Sequence, residues 1–176
     1  MTLLTVGIGD CLVTKDPEAV LTTYGLGSCI GLAIYDPVAA VAGMLHFMLP
    51  ESSLNPEKAI LNPFVFADTG VPRLFKSAYD LGAEKRRLLV GMVGGAQVLD
   101  AAGAFQVGKR NQLALRKILW RVGIMIHAED VGGTQSRSVR LEVSTGRLWV
   151  RGSSQGDYEI SATAVQKGGM VWNSMS

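Results

Sequence analysis

A chain of 176 residues, 48% of them hydrophobic, can bury one sizeable core, and no charged or Pro-Ser-rich linker divides it. Its 17 Lys and Arg nearly balance 15 Asp and Glu, for a net charge of +2, and only Lys85-Arg86-Arg87 forms a run; nothing here demands nucleic acid or an anionic membrane surface as partner. No apolar stretch reaches the roughly 18–20 residues of a membrane helix and no signal sequence is recognised, so membrane insertion is not expected and a cytoplasmic protein is. Two cysteines in such a chain fit a reducing compartment better than a disulfide framework.

In chain order, residues 3–8 read as a strand, and residues 20–28 as a second that ends at the kink Gly25-Leu26-Gly27. Two apolar runs follow, residues 29–36 and 41–49, joined across Asp36-Pro37 as an antiparallel hairpin. Pro56-Glu57-Lys58 suits a solvent loop. Thr69-Gly70-Val71-Pro72 looks like a helix start, with Leu81-Gly82 closing that helix. Residues 86–93 form a strand that leads into the turn Gly94-Gly95-Ala96, and Lys85-Arg86-Arg87 is expected to be solvated at its start.

Leu113, Ile118, Leu119 and Val122 recur at helical spacing, which predicts an amphipathic helix over 111–123 with Arg116, Lys117 and Arg121 outward. Strands over 124–129, 139–143 and 147–151 complete the pattern, the last two joined by Ser144-Thr145-Gly146. The expected fold is an α/β layered sandwich of mixed, largely antiparallel β-sheets with flanking helices. Residues 1–152 form the domain, and residues 153–176 are a C-terminal tail of unassigned role.

The hairpin concentrates the chemistry. If Asp36 and Ala39 flank the reversal, opposite residues have numbers that add to 75, and Cys29 faces His46 with Cβ atoms about 5 Å apart. A slip of one residue would turn His46 to the other face. A free cysteine in an apolar strand is ordinarily inert, and Cys11 is read that way. The chain has only two cysteines and two histidines, however, and one of each falls in this hairpin beside a glycine kink.

A thiol attacks an acyl carbon as its thiolate, so it needs a base, and an imidazole can later return the proton to a leaving amine. Thr23 lies just beyond the kink, where its hydroxyl or its backbone carbonyl can accept from the far imidazole nitrogen. The glycines let the chain bend and bring backbone N–H groups to a substrate oxygen. Ser28 and Cys29 are the expected amide donors, and Gly27 with Ser28 forms the oxyanion and substrate-binding segment.

Other motifs are set aside. Gly25, Gly27 and Gly31 have GxGxxxG spacing with no acidic residue in the strand context of a dinucleotide site, and Gly94-Gly95-Ala96 lacks the Gly-Lys-Ser/Thr that grips phosphate. His127 reads as a plain sheet residue.

Gly25-Leu26-Gly27-Ser28-Cys29-Ile30-Gly31, Tyr35-Asp36-Pro37, Ala42-Gly43, Leu45-His46 and Met48-Leu49-Pro50 together resemble the chemoreceptor glutamine deamidase family, CheD. Phe66-Ala67-Asp68-Thr69-Gly70-Val71-Pro72-Arg73-Leu74, Gly94-Gly95-Ala96 and Val107-Gly108-Lys109-Arg110-Asn111 extend the resemblance over about residues 5–150. Gly132-Gly133-Thr134-Gln135-Ser136-Arg137 departs from the family pattern, which has a Gly-Arg pair after the double glycine. Lys109 stands where an acidic residue is common.

The resemblance implies hydrolysis of the side-chain amide of glutamines on methyl-accepting chemotaxis receptors, with Cys29 as nucleophile, His46 as base and Thr23 as the group that orients it. It implies no metal and no organic cofactor. The receptors' cytoplasmic helices would be the substrate and a CheC-type phosphatase a candidate partner. The alternative is a regulatory binding module for such a phosphatase or for receptors, with little or no catalysis.

Overall fold

Residues 30–36 and 41–47 carry almost no polar alternation, and strands of that composition must be covered on both faces. The computed structural model describes residues 1–97 and 106–160, and it covers these two segments completely. Its strands are β1 (Thr2–Thr5), β2 (Asp10–Thr14), β3 (Ala19–Leu26), β4 (Ile30–Asp36), β5 (Val41–Phe47), β6 (Leu89–Gly94), β7 (Ala128–Val131), β8 (Arg137–Glu142), β9 (Leu148–Gly152) and β10 (Asp157–Glu159). Its helices are α1 (Pro56–Leu61), α2 (Ala67–Asp80) and α3 (Val107–Arg121).

Two five-stranded sheets result, in the orders β1-β3-β8-β9-β10 and β2-β5-β4-β6-β7. The pairs β1/β3 and β6/β7 are parallel and the others antiparallel. Leu21, Leu26, Val139, Leu141 and Val150 of the first sheet meet Ala33, Tyr35, Ala42, Met44 and Val93 of the second. On its other face the second sheet packs Ile30, Leu32, Ile34, Leu45 and Phe47 against Val71, Leu74 and Phe75 of α2 and Leu115 and Leu119 of α3. The order of layers is sheet, sheet, helices, so the predicted α/β layered class holds. The period-2 alternation along β4 and β5 decides which layer each side chain meets.

Several local expectations change. Residues 10–14 form a strand that composition did not signal, because β2 is a half-exposed edge held by its pairing with β5. Its Cys11 is half-buried against the helix-side core, and burial together with Asp10 pushes the thiol up to about 12. Pro56-Glu57-Lys58 opens α1 rather than a loop: Pro56 occupies the first helical turn, and the Asn55 side chain caps the helix by accepting from the Lys58 amide.

Helix α2 begins at Ala67, before the predicted start, and contains Pro72. Helix α3 buries Gly108, Asn111, Leu115 and Leu119, whereas Leu113 and Val122 lie on the exposed side with Trp120. The inward stripe is therefore turned from the predicted one. His127 sits just before β7 and accepts the Val90 amide through Nδ1. Residues 157–159 of the tail add β10 to the edge of the first sheet; Met170 and Trp172 lie outside the described residues.

Arg87 is not solvated as the basic run suggested. Its guanidinium meets the fully buried Asp36 carboxylate at 2.8 Å, and Asp36 also accepts the amides of Val38, Ala39 and Glu84. Burial alone would raise this carboxyl, but Arg87 and the three amides outweigh it and hold the group at about 2. The cluster ties the hairpin loop to the segment that leads into β6.

Removing one partner of a buried pair leaves an uncompensated charge. Arg87→Ala is therefore expected to lower the urea midpoint of unfolding at pH 7, cushioned by the three amides that still hold the Asp36 carboxylate. The contribution of Asp36 is complete above its ordinary range near 3.8 and is lost as pH falls through about 2.

Candidate active site

The register of the hairpin sets the geometry. Gly31 lies opposite His46, and Asp36 opposite Val41, so opposite numbers add to 77 instead of 75. The loop is longer than the predicted reversal: Ala40 adopts a left-handed φ of 52° beside Val38 and Ala39, whose amides the Asp36 carboxylate draws in. An even shift preserves the face, so Cys29 and His46 stay on the same side of the second sheet. That side is the one facing the first sheet. Cys29, one residue before β4, packs half-buried against the inter-sheet core, and His46 is fully buried.

Thr23 comes from the other sheet. It is buried on β3, and its Oγ1 lies 2.8 Å from His46 Nδ1 and 2.7 Å from the Val6 carbonyl oxygen. A carbonyl can only accept, so the single hydroxyl proton of Thr23 goes to Val6, and Thr23 Oγ1 must accept from His46 Nδ1–H. The hydroxyl, not the backbone carbonyl, is thus the partner. This fixes the tautomer and leaves the lone pair on Nε2, which is buried without a hydrogen-bond partner. Gly31, opposite His46, leaves room for Leu26: a Cβ there would lie 2.9 Å from Leu26 Cδ1 and 3.4 Å from Thr23 Cγ2.

The segment 27–29 is held by its carbonyls. Gly27 O accepts from the Ala96 amide at 2.8 Å, Ser28 O from Asn111 Nδ2 at 2.9 Å, and Cys29 O from the Gly95 amide at 2.8 Å. The pairing of β3 with β8 shifts by one residue between Thr23 and Leu26, where Gly25 takes a φ of 65°, so a bulge turns the chain toward this segment. Gly27 N–H is used within the kink, on Gly25 O. Among the described residues, the amides of Ser28 and Cys29 donate to no other residue, and the Cys29 amide interacts with its own thiol.

Gly94 and Gly95, read from sequence as a structural turn, are the other jaw of this clamp. A Cβ on Gly94 would stand 2.3 Å from Cys29 O, and its φ of 112° suits glycine alone. Arg137 braces the turn from behind by pairing with Asp130 and donating to Gly132 O, and the Gly132 amide in turn donates to Gly94 O. Asn111, whose helix was expected but whose role was not, reaches both Ser28 O and Met48 O. The signal for it was a polar residue in the inward stripe of an amphipathic helix.

Burial pulls His46 down to about 4, so the imidazole is neutral at pH 7 and able to take a proton. Burial also pushes the Cys29 thiol up, partly offset by its own backbone amide. The resting pair is thus thiol and neutral imidazole rather than a preformed ion pair. Among the described residues, no three His, Cys, Asp or Glu side chains gather as a metal site, and no helix is long and apolar enough to cross a membrane.

An α/β layered fold that sets a thiol and a threonine-anchored imidazole on one face of a sheet has the residue set of a thiol hydrolase. The family model described as CheD chemotactic sensory transduction matches residues 48–152. A protein named probable chemoreceptor glutamine deamidase CheD from Solibacter usitatus (strain Ellin6076) is 52% identical over 169 residues, covering 96% of this chain and 99% of that one. Its counterpart CheD 2 from Anaeromyxobacter dehalogenans (strain 2CP-C) is 50% identical over 88% of this chain and 98% of its own, and one from Pyrococcus horikoshii is 39% identical over 86% and 93%. The chain belongs to the CheD family.

Two outcomes follow from the imidazole. Because His46 titrates at about 4 when folded against 6.5 when exposed, the unfolded chain binds the extra proton between those values. Stability is therefore present above about pH 6.5 and falls as pH drops toward 4, by up to roughly 3 kcal/mol. Unfolding curves of wild type and His46→Asn across pH 4–7 should diverge in that window. Thr23→Val, which keeps volume but removes the acceptor, should shift the ring toward the other tautomer, visible in the 15N shifts of His46.

Proposed function

We propose that the protein hydrolyses the side-chain amide of glutamines on chemoreceptors, giving glutamate and ammonia, with Cys29 as nucleophile, His46 as general base and acid, and Thr23 as the residue that orients His46. The observation that carries this reading is the Nε2 lone pair of His46, freed by Thr23 on the face that also carries Cys29. The names of the relatives supply the substrate class.

His46 Nε2 takes the thiol proton as Cys29 Sγ bonds to the amide carbon. The carbonyl π pair moves to oxygen, and the oxyanion lies within reach of the Ser28 and Cys29 amides. When the C–N bond breaks, Nε2–H delivers its proton to the departing nitrogen and ammonia leaves a thioester. Water then attacks with Nε2 as base, the C–S bond breaks, and the imidazolium reprotonates the sulfur, leaving glutamate. Because the resting groups are neutral, the proton moves during attack instead of before it. The segment Gly27-Ser28 lines the approach to the carbonyl.

The expected setting is the cytoplasm, with receptor cytoplasmic helices as substrate and a CheC-type phosphatase as candidate partner. Ammonia release from receptor fragments tests the reading. Cys29→Ala should fold normally and release none, and His46→Ala should lose about 10²- to 10⁴-fold in turnover. Wild-type turnover in Cys29→Ala would sink it and favour a regulatory binding module.

A further inference from the structure

Asn111 is fully buried on α3, and both protons of its side-chain amide go to main-chain carbonyls, Ser28 O at 2.9 Å and Met48 O at 2.8 Å. Two carbonyl acceptors force the orientation of the amide, since Oδ1 in the place of Nδ2 would oppose their lone pairs. Oδ1 itself is left buried with no partner. An apolar side chain of the same shape would remove the orphaned acceptor but leave the Ser28 and Met48 carbonyls without this donor, so the asparagine is there for those two carbonyls.

The consequence lies in the peptide group. A trans peptide is planar, with its N–H pointing opposite its C=O. Ser28 C=O and Cys29 N–H belong to the same peptide, so drawing the carbonyl toward α3 turns the Cys29 amide away from α3. That is the side of the sheet on which Cys29 and His46 lie. The second bond, to Met48 two residues beyond His46, ties the same side chain to the strand end that carries the base. We infer that Asn111 is the positioning residue of the oxyanion hole, aiming the Cys29 amide at the oxygen of the tetrahedral intermediate. The inference rests on the proposed thiol mechanism.

The test compares two reactions of one thiol. Deamidation of a receptor fragment builds an oxyanion, whereas alkylation by iodoacetamide displaces iodide and builds none. In Asn111→Leu and Asn111→Ala, kcat for deamidation should fall by about 10²- to 10³-fold with KM within about threefold, while Cys29 alkylation at a pH where the thiol is fully ionised stays within about threefold of wild type. Deamidation within threefold of wild type would overturn the inference. So would a loss of alkylation at that pH as large as the loss of activity, because Asn111 would then be propping the thiol itself.

A measurement on the wild-type protein guards against variants that do not fold. A receptor peptide with glutamate semialdehyde in place of glutamine should form a hemithioacetal and move the Cys29 amide resonance downfield; an unmoved resonance in the formed adduct overturns the inference. Full turnover by Cys29→Ala would mark failure of the underlying mechanism instead, whatever Asn111 does.

Discussion

A hydroxyl group has one proton, and the protein spends that of Thr23 on the Val6 carbonyl. Everything at the site follows from that commitment. The oxygen can then only accept from Nδ1, the imidazole is locked as one tautomer, and the basic lone pair is left at Nε2. The bond spans two sheets, so it exists only where β3 and β5 are stacked in one particular alignment. The inter-sheet core of Leu26, Met44, Val93 and Val139 holds that alignment, and Gly31 leaves room for Leu26 within it. Stability and chemistry meet here, since the packing that excludes water from the imidazole is what keeps it neutral.

Cys29 is fixed by another kind of constraint. Residues 27–29 are not part of a ladder, yet each of their three carbonyls has a donor from outside the segment. Two donors are amides of the glycine turn after β6, and the third is a side chain of α3. A peptide held by its carbonyl presents its N–H on the opposite side. The turn that supplies the clamp can approach this closely only because glycine stands at position 94.

The sequence made some of this legible and hid the rest for identifiable reasons. The unbroken apolar runs of β4 and β5 announced strands covered on both faces, and the scarcity of cysteine and histidine singled out Cys29 and His46. The hairpin register was off by two because the Asp36 side chain organises a longer loop, an interaction no periodicity records. The face survived because the error was even.

Strand β2 and helix α1 were not read because their side chains are largely exposed: one is held by pairing, the other by Asn55 and Pro56. On α3 the apolar count misled, since Leu113 and Val122 face outward. The inward stripe instead runs through Asn111, a polar residue whose value lies in two carbonyls far away in the chain.

The neutral resting state of the Cys29 and His46 pair has a bearing on survival of the enzyme as well as on its turnover. Peroxides and other electrophiles react with thiolates far faster than with thiols. A thiol that keeps its proton is a slow target for such oxidants. Burial, which makes the Cys29 thiol harder to ionise, thereby slows its conversion to sulfenic and sulfinic acid.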